Sequence, residues 1–150
     1  MTKKVIMKKI TKEELKDLFN KYNKLYFNGL LPKCKFHVFK GSGTYGFYLN
    51  QTNGIWIAYD VEWTEETLRE CLVHEMIHHY LYTIEGHCGG LFKHNWRYRR
   101  QCRRIEKDYG IKIYLLGSNL EYIGQKKHTT LYGKFCEKLN EYIMRFLYLF

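Results

Sequence analysis

Two histidines four residues apart enclose a glutamate in the run His74-Glu75-Met76-Ile77-His78. Residues at that spacing lie on one face of an α-helix, so both imidazoles can bind one metal ion. Neutral imidazole is a good zinc ligand, and bound Zn²⁺ lowers the pKa of its water toward about 7. Glu75 sits beside the ligands, where its carboxylate can take a proton from the activated water. The chemistry this set supports is hydrolysis. Catalytic zinc needs a third protein ligand and one open position. His79 points about 100° away from His78 on a helix and reads as a core-edge or surface residue. His37 and His128 lie further off in the chain. His87 and His94 are the candidates for the third place.

The elements that must position these groups can be read from capping signals and periodicity. Thr64 is a good N-cap, and Glu65 and Glu66 suit the first turn of a helix. Leu68, Cys71, Leu72, Met76 and Leu81 give that helix an apolar face down to about Thr83. The stretch from Glu85 to Gly90 contains three glycines and reads as a loop carrying His87. A following helix is expected from about Phe92 to Tyr109, ended by Gly110, with His94 near its start. Upstream, Thr11 and Glu14 form a capping box. Leu15, Leu18, Phe19, Tyr22 and Leu25 then follow at helical spacing, and Asn28-Gly29 and Pro32 end the helix. Between Cys34 and Tyr59 three short strands are expected, with Thr52-Asn53-Gly54 as a hairpin turn. Ile111 to Leu116 reads as a further short strand. The segment from about 128 to 150 reads as a last helix. Leu131, Phe135, Leu139, Tyr142, Ile143 and Phe146 lie on one side of it.

The chain has 150 residues, 45% of them hydrophobic and 17% aromatic, which predicts one folded domain over 1–150 and excludes a mostly disordered chain. No apolar run is long enough to span a bilayer, and no membrane partner is expected. Met1 to Lys9 is basic but lacks the apolar centre of a signal peptide. Cys34, Cys71, Cys88, Cys102 and Cys136 are scattered, with no C-x-x-C pair, as expected of reduced thiols in a cytoplasmic protein.

The sequence resembles the SprT-like zinc metallopeptidases, a group that includes a DNA-repair protease. The resemblance runs from about Thr11 to Ile113. It rests on Tyr26-Phe27-Asn28-Gly29-Leu30-Leu31-Pro32, on Tyr45-Gly46-Phe47 and Ile55-Trp56-Ile57, and on Leu72-Val73-His74-Glu75-Met76-Ile77-His78. It implies a compact α+β, zincin-like domain with helices packed on a small antiparallel sheet, here with an extra C-terminal helix. The resemblance also implies a third ligand in a His-Gly-x-x-Phe segment opening the next helix. His94 is followed by an aromatic at the matching offset, in Asn95-Trp96-Arg97-Tyr98, and fifteen residues separate it from His78. His87 is the alternative, with Phe92 one position too late; Asn95 in place of glycine is the departure at His94. The expected site is therefore Glu75 as general base with His74, His78 and His94 on zinc, hydrolysing peptide bonds of a protein substrate. No cysteine zinc ribbon of the kind some members carry is present.

The formal net charge is +10, which favours contact with nucleic acid or another polyanion. Lys93, Arg97, Arg100, Arg104 and Lys107 form a stripe along the helix that carries His94. Such a stripe gives salt-dependent, sequence-independent affinity for phosphates. Trp56, Trp63 and Trp96 fit core positions better than base-stacking ones. Two rival readings remain at this point. One is a zinc-stabilised DNA-binding or assembly module with little proteolysis. The other is a zinc hydrolase acting on a non-peptide bond. Oligomeric state is not legible.

Overall fold

Thr11 opens the first helix by the expected reciprocal cap. Its hydroxyl accepts from the Glu14 N–H at 3.2 Å, and the Glu14 carboxylate accepts from the Thr11 N–H at 2.9 Å. This is α1, Lys12–Phe27. In the computed structural model, residues 9–41, 44–87 and 94–113 are described. The C-terminal helix expected over about 128–150 lies outside them, as do Leu116 and the end of the strand expected from Ile111. Residues 111–113 themselves are not a strand.

α1 stops where Asn28 turns left-handed, at φ 52°, followed by Gly29 at φ 71°. The chain beyond is then held by a buried amide. Asn23 donates to the Leu31 carbonyl at 3.0 Å and accepts from the Leu31 N–H at 3.1 Å. This clamp fixes the turn that carries Pro32 back toward the sheet.

The strands are β1 (Lys35–Phe39), β2 (Gly46–Leu49) and β3 (Gly54–Ala58). Their order is β1-β3-β2. β2 and β3 form the expected antiparallel hairpin, while β1 runs parallel to β3. The sheet is therefore mixed, not purely antiparallel. The reason lies in Asn53, at φ 48° in the hairpin turn. Its carbonyl accepts from Lys35 N–H at 2.9 Å, and its side-chain amide donates to the Lys33 carbonyl at 3.1 Å. That tie starts β1 beside β3 and inserts β3 between two strands that are neighbours in sequence.

The helix α2, Glu65–Thr83, begins at Thr64, which caps reciprocally with Thr67. It is buried on most sides, because α1, α3 and two strands all pack on it. The last helix, α3, is Trp96–Tyr109, capped by Asn95 and ended by Gly110 at φ 67°. It starts later than the expected Phe92, because the Asn95 carboxamide accepts from the Arg97 and Tyr98 N–H groups at 3.0 and 3.3 Å. The arrangement is α+β: three helices on one face of a three-stranded sheet, around a core that includes Phe27, Ile55, Ile57, Leu72, Met76, Ile77, Tyr98 and Ile105. Cys34, Cys71 and Cys102 are free thiols. Burial pushes the Cys34 and Cys102 thiols up to about 12, so neither is a thiolate at neutral pH.

Asn23→Ala leaves a buried N–H and a buried carbonyl of Leu31 without partners. We expect a loss of about 2–3 kcal/mol of folding stability, measured by urea denaturation.

Candidate metal centre

α2 carries His74 and His78 on the side that looks toward the start of α3, and the Asn95 cap holds His94 opposite them. The three Nε2 atoms converge. His94 Nε2 lies 3.0 Å from His74 Nε2 and 3.2 Å from His78 Nε2. One nitrogen from each ring falls within 4.8 Å of the other two. Two nitrogens on a tetrahedral zinc with bonds of about 2.0 Å stand roughly 3.3 Å apart, so the donor set suits that ion. Neutral imidazole is a good zinc donor, and three ring nitrogens that meet at one point can hold a cation.

Tyr98 forms the floor of this cluster. Its ring is fully buried and lies 5.1, 4.6 and 4.7 Å from the rings of His74, His78 and His94. Its hydroxyl donates to the His74 carbonyl at 3.3 Å. The sequence shows an aromatic four residues after His94, which is the one signal that could have found it. Glu75 is only 5% exposed yet lines the same cleft as the histidines. The cleft, of about 370 Å³, is walled by residues 46–51, with Leu81, Tyr82 and His87 completing it. His87 thus faces the site but is not among the clustered nitrogens. His37 stacks on Trp56, on the far side of the sheet.

His79 is not at the edge of the core; it is inside it, with no exposed surface. Its Nε2–H donates to the Pro32 carbonyl at 2.9 Å, which leaves Nδ1 to accept from the Tyr48 hydroxyl at 3.2 Å. Burial lowers its pKa, only partly offset by the Pro32 bond, and keeps the ring neutral. The residue next to His78 therefore bolts α2 to the turn after α1 and to β2. Burial likewise raises the Tyr48 hydroxyl to about 12, so it stays a donor.

β2 approaches α2 closely because Gly46 has no side chain. A Cβ there would lie 3.0 Å from Cys71 Sγ, from Ile57 Cδ1 and from the Trp56 carbonyl. This brings an edge strand against the helix that carries Glu75.

The basic stripe is distributed unevenly. Arg100 binds the Glu85 carboxylate at 2.6 Å, with Arg97 3.7 Å from its other oxygen. Both guanidinium groups lie over the Trp96 ring, which is 54% exposed. Arg104 turns inward, donating to the Tyr26 carbonyl and to Gln101 at 2.9 Å each. Lys107 is exposed, and Lys93 lies outside the described residues. No described helix is long and apolar enough to cross a membrane.

Tyr98→Ala removes the floor under three rings and should cost about 3–5 kcal/mol, whereas Tyr98→Phe should cost no more than about 1 kcal/mol. Denaturant titration of both variants checks this ordering.

No curated protein matches the chain. A family model described as SprT-like matches residues 15–117, a span that holds both strand and helix sides of the cleft and all three clustered histidines. The chain belongs to the SprT-like family, whose domain is of the zincin-like metallopeptidase type.

Proposed function

We propose that this protein is a zinc-dependent endopeptidase. The observation that carries the reading is the meeting of three imidazole nitrogens beside a buried glutamate, in a cleft walled by an edge strand. In this reading His74, His78 and His94 hold the ion. Bound zinc supplies a Lewis acid that makes water nucleophilic near neutral pH. Glu75 takes the proton of the attacking water and delivers it to the leaving amine nitrogen. β2 lies at the edge of the sheet, so an extended substrate segment can pair with its free side. Such pairing engages residues on both sides of the cleaved bond, which suits a cut within a chain.

We read the substrate as protein held on DNA, cleaved in the cytoplasm. The support is the net charge of +10 and the basic face of α3, which begins two residues after His94. Arg104 turns inward, so phosphate contact falls to Lys107 and Lys93, joined by Arg97 and Arg100, which must exchange the Glu85 carboxylate for a phosphate. The same face favours a second reading, a zinc-stabilised DNA-binding module with little proteolysis.

Glu75→Gln separates the two. Elemental analysis should find one zinc per chain in the wild type, in Glu75→Gln and in His87→Ala, and none in His94→Ala. Cleavage of casein, and of histone on duplex DNA, should fall about 10²–10⁴-fold in Glu75→Gln. Undiminished cleavage would refute Glu75 as the base. Absence of any cleavage by the wild type, with DNA binding retained, would establish the second reading. For the DNA contact, Arg97→Ala/Arg100→Ala/Lys107→Ala should weaken duplex binding at low salt by at least about tenfold and flatten its salt dependence. Casein cleavage without DNA should be unchanged.

A further inference from the structure

α2 continues past the clustered histidines. Tyr82 follows His78 by four residues and His74 by eight, so the three side chains share one side of the helix, a turn apart. Four residues advance about 6 Å along the axis, and helical side chains lean back toward the N-terminus. The Tyr82 ring is thus directed toward the turn that carries His78. It lines the same cleft, and it is 39% exposed although Leu81 beside it is buried. A ring left that open in a cleft wall has apolar surface to give to whatever enters.

The facing wall is Tyr48 of β2. Its ring stands 6.4 Å from the Tyr82 ring, tilted at 56°. Tyr48 is pinned. Its ring packs 5.3 Å from that of the buried His79, its hydroxyl donates to His79 Nδ1 at 3.2 Å, and Asn53 Oδ1 lies 3.4 Å from the same oxygen. The two tyrosines therefore form a notch with one fixed wall and one exposed wall.

The chain carries a net charge of +10. Yet no lysine, arginine or aspartate among the described residues lines the cleft, and Glu75 is its one carboxylate. A charged side chain entering the notch would lose water and find no counter-charge on either tyrosine. A leucine, methionine or phenylalanine would cover both rings and shed apolar surface. A chain paired along β2 turns every second side chain toward the helices. Its residues advance about 3.3 Å each, so the side chain that reaches the notch lies within about two residues of a bond held over the histidines. We propose, resting on the peptidase reading of the cleft, that the notch between Tyr48 and Tyr82 is its specificity pocket. It takes one aromatic or long aliphatic side chain beside the cleaved bond, and Tyr82 selects it. The substrate class that follows is an extended segment bearing a large apolar residue.

Casein digested by the zinc-loaded full chain, with the products sequenced by mass spectrometry, should show cuts at one fixed offset from Leu, Met, Phe or Tyr. Two peptides copied from such a site, with Phe or Asp at that offset, should differ at least about tenfold in kcat/KM. Tyr82→Ala should bring them within about threefold, chiefly by raising KM for the Phe peptide. Tyr82→Phe should keep the difference, and Tyr82→Arg should favour the Asp peptide. Tyr82 is exposed, so these variants should fold, which denaturant midpoints check. Cuts without apolar preference, or a preference that survives in both Tyr82→Ala and Tyr82→Arg, would overturn the proposal. Zinc-loaded Glu75→Gln protein reads the pocket without cleavage. A fluorescein-labelled peptide of Ala, Ser and Gln with one central Phe should bind at least about tenfold tighter than its Asp twin, and adding Tyr82→Ala should close the gap. Equal binding of the two peptides would refute the pocket whatever the enzyme cuts. A gap that depends on Tyr82, in a wild type that cuts nothing, would refute the peptidase reading and leave the pocket standing.

Discussion

Three imidazole nitrogens meet at one spot, and the rest of the domain is organised to hold them there. His94 Nε2 stands 3.0 Å from His74 Nε2 and 3.2 Å from His78 Nε2. A flexible scaffold would let one ring swing away. Here the rings rest on the buried Tyr98, which touches all three. Two histidines come from one rigid helix at a spacing of four, so their separation is set by helix geometry. The third comes from the residue before an N-cap, and Asn95 fixes it by occupying the first N–H groups of α3. The work of bringing the three rings together thus falls on packing and caps.

The same logic explains a histidine that lies outside the cluster. α2 must not rotate, since a turn of a few tens of degrees would carry His74 and His78 away from His94. His79 prevents it from the opposite side, with one nitrogen on Pro32 and the other on Tyr48. Pro32 is itself held by the turn that Asn23 clamps. A chain of buried polar contacts thus runs from α1 through His79 to the helix that carries His74 and His78. Each link is satisfied, which is the condition under which buried polar groups add rigidity instead of cost.

Much of this was legible in the residues. Thr11 with Glu14, Thr64, and Gly110 mark helix ends because capping is a local matter settled within four residues. The motif from His74 to His78 was legible for the same reason. The reading failed where partners are distant in sequence. The parallel pairing of β1 with β3 depends on Asn53 reaching Lys33 and Lys35, and no local pattern announces that. His79 looked peripheral because helical geometry separates it from His78 but does not say what lies on its other side. Tyr98 stands out in the sequence only by its offset from His94, and its role beneath three rings needs the crossing of α2 and α3. The helix expected from about Phe92 starts at Trp96, where the Asn95 side chain caps it. Arg104 read as one more charge in a stripe; only the fold shows that it is spent on the Tyr26 carbonyl.

β3 sits between two demands that one strand order reconciles. Placed in the centre, it leaves β2 as an edge, and Gly46 lets that edge approach α2 until Cys71 limits it. An edge strand is a liability unless something uses or covers it. Here its free side borders the cleft that holds Glu75 and the histidines. Had β2 been central, the cleft would have had a wall with no unpaired backbone and nothing with which to hold an extended chain. The parallel pairing of β1 with β3, which sequence reading missed, is thus what frees β2 for the site. The departure from simple hairpin topology and the chemistry of the cleft have one cause.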